Sequence, residues 1–148
     1  MKQPVAFLLL LLSAVPLAAQ ETIWVALVRA ETEGTPGDNR IGLLQPRLER
    51  VFGFPSYRLL GEANVPIREK YAQWILPRKD LYLKMEPLPP SPPMINLIHF
   101  EIYCRDKQIV QGKFQPQPAT PLFINGPDCR RGRMIFIMQP MPMPTPTP

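Results

Sequence analysis

The 148-residue sequence predicts a single mainly β domain, an antiparallel β-sandwich of about eight strands with one short helix. Three observations carry that expectation. Twenty-one prolines lack the N–H that a helix interior needs, which excludes a bundle of long helices. Apolar residues make up 45% of the chain and charged residues 20%, a balance that supports a buried core and excludes wholesale disorder. Between the proline-rich breaks lie short apolar or alternating runs of strand length.

Met1 to Ala19 reads as a secretory signal peptide. Lys2 supplies the positive start, Val5 to Leu12 is unbroken apolar, and Ser13 to Ala19 brings a breaker and small residues before cleavage after Ala19. The rival reading is an uncleaved anchor, but the apolar run is shorter than the roughly 20 residues that span a bilayer. Gln20, Glu21 and Thr22 also interrupt its extension. The expected organisation is therefore a signal peptide at 1–19, a β-rich domain at 20–139 and a proline-rich, unpacked tail at 140–148, in a periplasmic, envelope or secreted protein.

Thr22 to Ala30 is apolar on both alternating faces except at Arg29, the pattern of a central strand covered on both sides. Glu33 to Asn39 is a turn-rich loop. Pro46 to Phe52 reads as a two-turn helix, opened by Pro46 and closed by Gly53. Leu44, Leu48, Val51 and Phe52 share one face, which makes it a lid on the sheet. Ser56 to Gly61 is the next strand. Tyr71–Leu76 and Leu81–Glu86 form a hairpin around Pro77 to Asp80, with Leu81, Leu83 and Met85 inward. Pro87 to Pro93 is a stiff connector.

The remaining strands, Ile95–Cys104, Gln108–Phe114, Leu122–Asn125 and Met134–Met138, read as a meander running up, down, up and down. Gly126 to Gly132 is expected as a loop. That arrangement brings Cys104 and Cys129 to one end of the sheet. An exported cysteine pair ordinarily forms a disulfide, and closing this loop would contribute about 3.5 kcal/mol. The same end collects Arg105, Lys107, Arg130, Arg131 and Arg133 against Asp106 and Asp128. This basic rim is the most distinctive surface feature of the sequence.

Other chemistry finds little support. His99 is the single histidine, with Glu101 two residues on. A general base is conceivable, but no nucleophile signature accompanies it. No glycine-rich phosphate loop is present, and nothing calls for a cofactor. Met94, Met134, Met138, Met141 and Met143 invite a copper reading through soft thioethers, yet Met134 and Met138 read more simply as core, and no metal is expected. Nucleic acid is not expected as a partner, since no stacking platform is apparent.

Val51-Phe52-Gly53-Phe54-Pro55-Ser56-Tyr57-Arg58-Leu59-Leu60, followed by Pro121-Leu122-Phe123-Ile124-Asn125-Gly126-Pro127, resembles a group of small exported β-rich bacterial proteins. In that group a short helix leads into a Tyr-Arg-Leu-Leu strand, and a Leu-Ile-Gly-Gly-Pro turn precedes a final apolar strand. Asn125 stands where the first turn glycine is found, and the cysteine pair and the proline tail lie outside the pattern. The resemblance implies export and a β-rich fold, with no activity and no site residues. The expected function is that of a non-enzymatic envelope or secreted protein, an interaction or assembly module with a protein partner in the envelope. The alternative is an anion-binding module that takes an acidic glycan or lipid headgroup on the Arg105–Arg133 rim.

Overall fold

Strand β1 (Thr22–Glu31) is apolar on both faces, and both faces are covered. Ile23, Val25 and Leu27 join one buried cluster, while Ala26, Val28 and Ala30 join a second on the other side. The computed structural model describes residues 22–34, 41–66, 73–75, 80–89 and 96–141. The expected signal segment, loop residues 35–39, turn residues 77–79, connector residues 90–93 and the tail beyond 141 lie outside the described residues.

Helix α1 (Gln45–Phe52) begins with Pro46 in its first turn and ends at Gly53, whose φ of 75° is the left-handed conformation glycine adopts without penalty. Leu48 is fully buried, and Leu44 and Phe52 pack beside it on the outer face of the first sheet. Val51, expected on the same face, is 60% exposed. It sits at the flank of the buried arc, about 60° round the helix from Leu48.

The other strands are β2 (Ser56–Pro66), β3 (Gln73–Ile75), β4 (Leu81–Pro87), β5 (Ile98–Cys104), β6 (Lys107–Phe114), β7 (Leu122–Cys129) and β8 (Gly132–Pro140). They form two antiparallel four-stranded sheets, in the orders β2-β1-β8-β7 and β3-β4-β5-β6, and pack as a sandwich. Leu81, Leu83 and Met85 from β4 and Ile98, Phe100 and Ile102 from β5 meet Ile23, Val25, Leu27, Phe136 and Met138 between the sheets. At about 25 cal/mol per Å² of apolar surface, this interior is the main stabilising term of the fold. The helix covers the far side of the first sheet, so the described fold has three layers.

Two expectations are corrected. The last four strands are not one meander, because β5 and β6 complete the second sheet while β7 and β8 complete the first. Gly126 to Cys129 is not loop but the continuation of β7 past a bulge between Asn125 and Asp128. Pro127 is tolerated there because β7 is an edge strand and a bulged residue needs no ladder donor. Strand β2 likewise runs on to Pro66, since β1 offers it partners along its whole length.

Candidate functional site

The two basic hairpins share one end of the sandwich. β6 finishes at Phe114 and β7 starts at Leu122. The segment between is folded by a hydrogen bond from the Thr120 N–H to the Gln117 carbonyl, 3.1 Å long. A chain covers at most about 3.5 Å per residue. The folded connection is therefore too short to run back along a strand roughly 26 Å long while also crossing the roughly 10 Å between sheets. β7 thus starts at the end where β6 finishes. The β5–β6 turn (Arg105, Asp106) and the β7–β8 turn (Arg130, Arg131) both lie at the other end.

The β7–β8 turn is held tightly against β1. Gly132 has φ of 155°, and a Cβ placed there would stand 1.6 Å from the Ala30 carbonyl oxygen. The Thr32 N–H donates to the Arg131 carbonyl at 3.2 Å. This close approach frames an open pocket of about 230 Å³ lined by Arg29, Cys129, Arg130, Arg131 and Met134.

The charges around the pocket divide into two sets. The Arg29 guanidinium donates to Glu31 through Nε at 2.8 Å, and Arg58 approaches the same carboxylate at 3.5 Å. The Glu31 side chain is only 7% exposed, so the shared carboxylate is largely desolvated, while Arg58 stays half exposed. Arg133 donates to Asp128 at 2.7 Å. Arg130 and Arg131, by contrast, are exposed, and among the described residues no carboxylate pairs with either. Arg105 and Lys107 are exposed on the neighbouring hairpin. Arg105 holds φ of 55°, and its N–H donates to the Asp80 carbonyl at 2.6 Å.

Of the five rim cations, Arg105, Lys107, Arg130 and Arg131 are exposed on the two hairpins, while Arg133 is turned to Asp128. Sequence reasoning missed Arg29, Glu31 and Arg58. The available signal was Arg29 itself, the one charged residue in the otherwise apolar run from Thr22 to Ala30.

Cys104 and Cys129 are free thiols, half-buried against the inter-sheet core. The expected bridge is corrected accordingly. The cysteines share an end but stand on facing sheets, not on one. Each packs against the inter-sheet core, Cys104 from the end of β5 and Cys129 from the end of β7, and no bond joins them.

His99 lies on the outer face of the second sheet, away from the pocket. Its Nδ1 is 3.9 Å from Glu101 Oε1, Lys84 Nζ is 3.5 Å from Oε2, and the Tyr103 hydroxyl donates to Oε2 at 2.8 Å. The Tyr103 hydrogen bond, followed by burial acting in the opposite sense and then by the Lys84 and His99 charges, leaves the Glu101 carboxyl below its ordinary pKa. Lys84 of β4 faces Glu101 of β5 directly, with His99 and Tyr103 flanking Glu101 on its own strand, so the Lys84–Glu101 pair acts as a cross-strand staple on the sheet surface. Met134 and Met138 are buried in the inter-sheet core. Among the described residues no group of three His, Cys, Asp or Glu side chains is placed to hold a metal ion.

The fold and this site define a two-sheet β-sandwich with a helix on one face and a cationic end. No protein-family model matches the chain, and neither a curated protein nor a solved structure does.

Proposed function

We propose that the protein is a non-catalytic exported binding module that holds its partner through the basic end. The observation that carries this reading is the open pocket beside Arg130 and Arg131, two exposed guanidiniums without a carboxylate partner among the described residues. Guanidinium forks match carboxylate, sulfate and phosphate groups. The ligand class is accordingly the anionic group of an acidic glycan or of an anionic lipid headgroup, presented by the envelope or by a protein partner within it. Arg29, fixed by Glu31, supplies a third guanidinium at the pocket wall. The order of charged, apolar and small residues in Met1 to Ala19 supports export. The placement of His99 on an open sheet face supports a binding role in preference to catalysis.

The test is calorimetric titration with dextran sulfate, and with uncharged dextran as control, at low and at physiological salt. Binding is expected to the sulfated polymer alone, to weaken steeply with salt, and to fall about tenfold or more in an Arg130→Glu, Arg131→Glu variant. Equal binding by that variant, or no salt dependence, would remove the basic end from the function and leave apolar docking to a protein partner.

A further inference from the structure

The flank of the lid helix offers a second surface, on the far side of the first sheet from the pocket. Leu43 is 97% exposed and Val51 is 60% exposed, the two most exposed large apolar side chains among the described residues. Leu43 stands in the turn closed by the Leu44 N–H to the Ile41 carbonyl, immediately before α1. With about 100° of rotation per residue, Arg47, Arg50 and Val51 fall within one arc of about 100° on the helix, and Leu43 stands exposed in the turn that leads into it. Arg47 and Arg50 are both exposed. The acidic residue of the helix, Glu49, lies on the opposite flank and accepts a hydrogen bond from Gln45 Nε2 at 2.8 Å. One flank is therefore apolar and cationic, and the carboxylate is segregated from it.

We infer that this flank docks the protein onto an anionic lipid surface, Leu43 and Val51 entering the boundary between headgroups and acyl chains while Arg47 and Arg50 meet lipid phosphates. Charge complementarity selects this occupant. An apolar protein groove would bury the two leucine- and valine-sized side chains but would leave two guanidiniums at its rim with nothing specified to meet them. A surface that is anionic outside and apolar a few ångströms deeper satisfies both kinds of group at once. Neither signal suffices alone, since a small apolar contact or a pair of charges gives only marginal attachment, and their combination gives weak, reversible binding. No helix among the described residues is long and apolar enough to cross a membrane, and docking at the surface requires none.

The experiment is flotation of the exported form, beginning at Gln20, with vesicles of equimolar phosphatidylglycerol and phosphatidylcholine, compared with phosphatidylcholine alone. Wild type is expected on the anionic vesicles only. A Leu43→Ser, Val51→Ser variant should bind about tenfold more weakly. An Arg47→Gln, Arg50→Gln variant should lose about fivefold per arginine, with the loss shrinking as salt rises. All four side chains are exposed, so melting temperatures should match wild type and confirm that the variants fold. Absence of wild-type binding, or equal binding by the serine variant, would overturn the inference. Loss confined to the Arg130→Glu, Arg131→Glu variant would also overturn it, by placing headgroup recognition at the basic end. Dextran sulfate binding by the helix variants stays at the wild-type level if the two surfaces are independent.

Discussion

Gly132→Ala is the substitution that tests how the cationic end is held. The new Cβ would stand 1.6 Å from the Ala30 carbonyl oxygen and 2.7 Å from the Ala30 carbonyl carbon. Both are backbone atoms of a central strand, so no side chain can turn away to make room. The start of β8 must move off β1, which sacrifices the final ladder pairings around Glu31 and the Thr32 to Arg131 hydrogen bond. Backbone strain at an unfavourable φ costs about 1–3 kcal/mol. Each lost hydrogen bond adds about 1 kcal/mol. The expected destabilisation is about 3–4 kcal/mol, read as a shift of the urea midpoint at constant m-value. Because Arg130 and Arg131 ride on the same turn, dextran sulfate binding should weaken although no charge has changed. Gly34→Ala, where nothing lies within 4 Å, is the control and should be close to neutral. A Gly132→Ala loss below about 1 kcal/mol would refute the close packing of the turn on β1.

Two further perturbations probe the interior and the open sheet face. The Tyr57 hydroxyl is buried beside the Phe54 backbone with no hydrogen bond of full geometry, and burial raises its pKa. Tyr57→Phe should therefore be neutral or stabilising by up to about 1 kcal/mol in chemical denaturation, and a clear destabilisation would show that the hydroxyl is in fact satisfied. Glu101 has a folded-state pKa below its ordinary 4.5. Its contribution to stability is fully present above that value and is lost as pH falls through the lowered one. Wild type should lose stability faster than Glu101→Gln on acidification below about pH 4.5, and parallel curves would remove the staple from the stability of the sheet.

Much of the architecture was legible because single strands and caps leave local signatures. The two-faced apolar run of β1 marks a central strand, Pro46 and Gly53 bracket the helix, and alternation in β4 and β5 separates inward from outward residues. Sheet membership left no such mark. A hairpin's sequence is the same whichever sheet it joins, so the meander reading of β5 to β8 satisfied every local pattern and still divided wrongly. Asn125-Gly126-Pro127 reads as loop because its residues favour turns, and only pairing with β8 converts it to a bulge. The rim cations were legible as a cluster. Which of them are neutralised was not, because Arg133 depends on Asp128 across a turn, and Arg29 depends on a carboxylate buried by the fold.

The pairing of β1 with β8 also governs when the protein becomes safe to leave alone. Synthesis delivers β1 first and its second neighbour last, more than 100 residues later. Until β8 emerges, β1 can find β2 but presents its other edge, with apolar side chains on both faces, to whatever is nearby. Such an edge is a template for pairing with other chains. Folding must therefore wait for the longest-range strand pairing among the described residues, which makes it slow. The nascent chain depends on being sheltered through that interval, and damage confined to β8 exposes the same edge again in the finished protein.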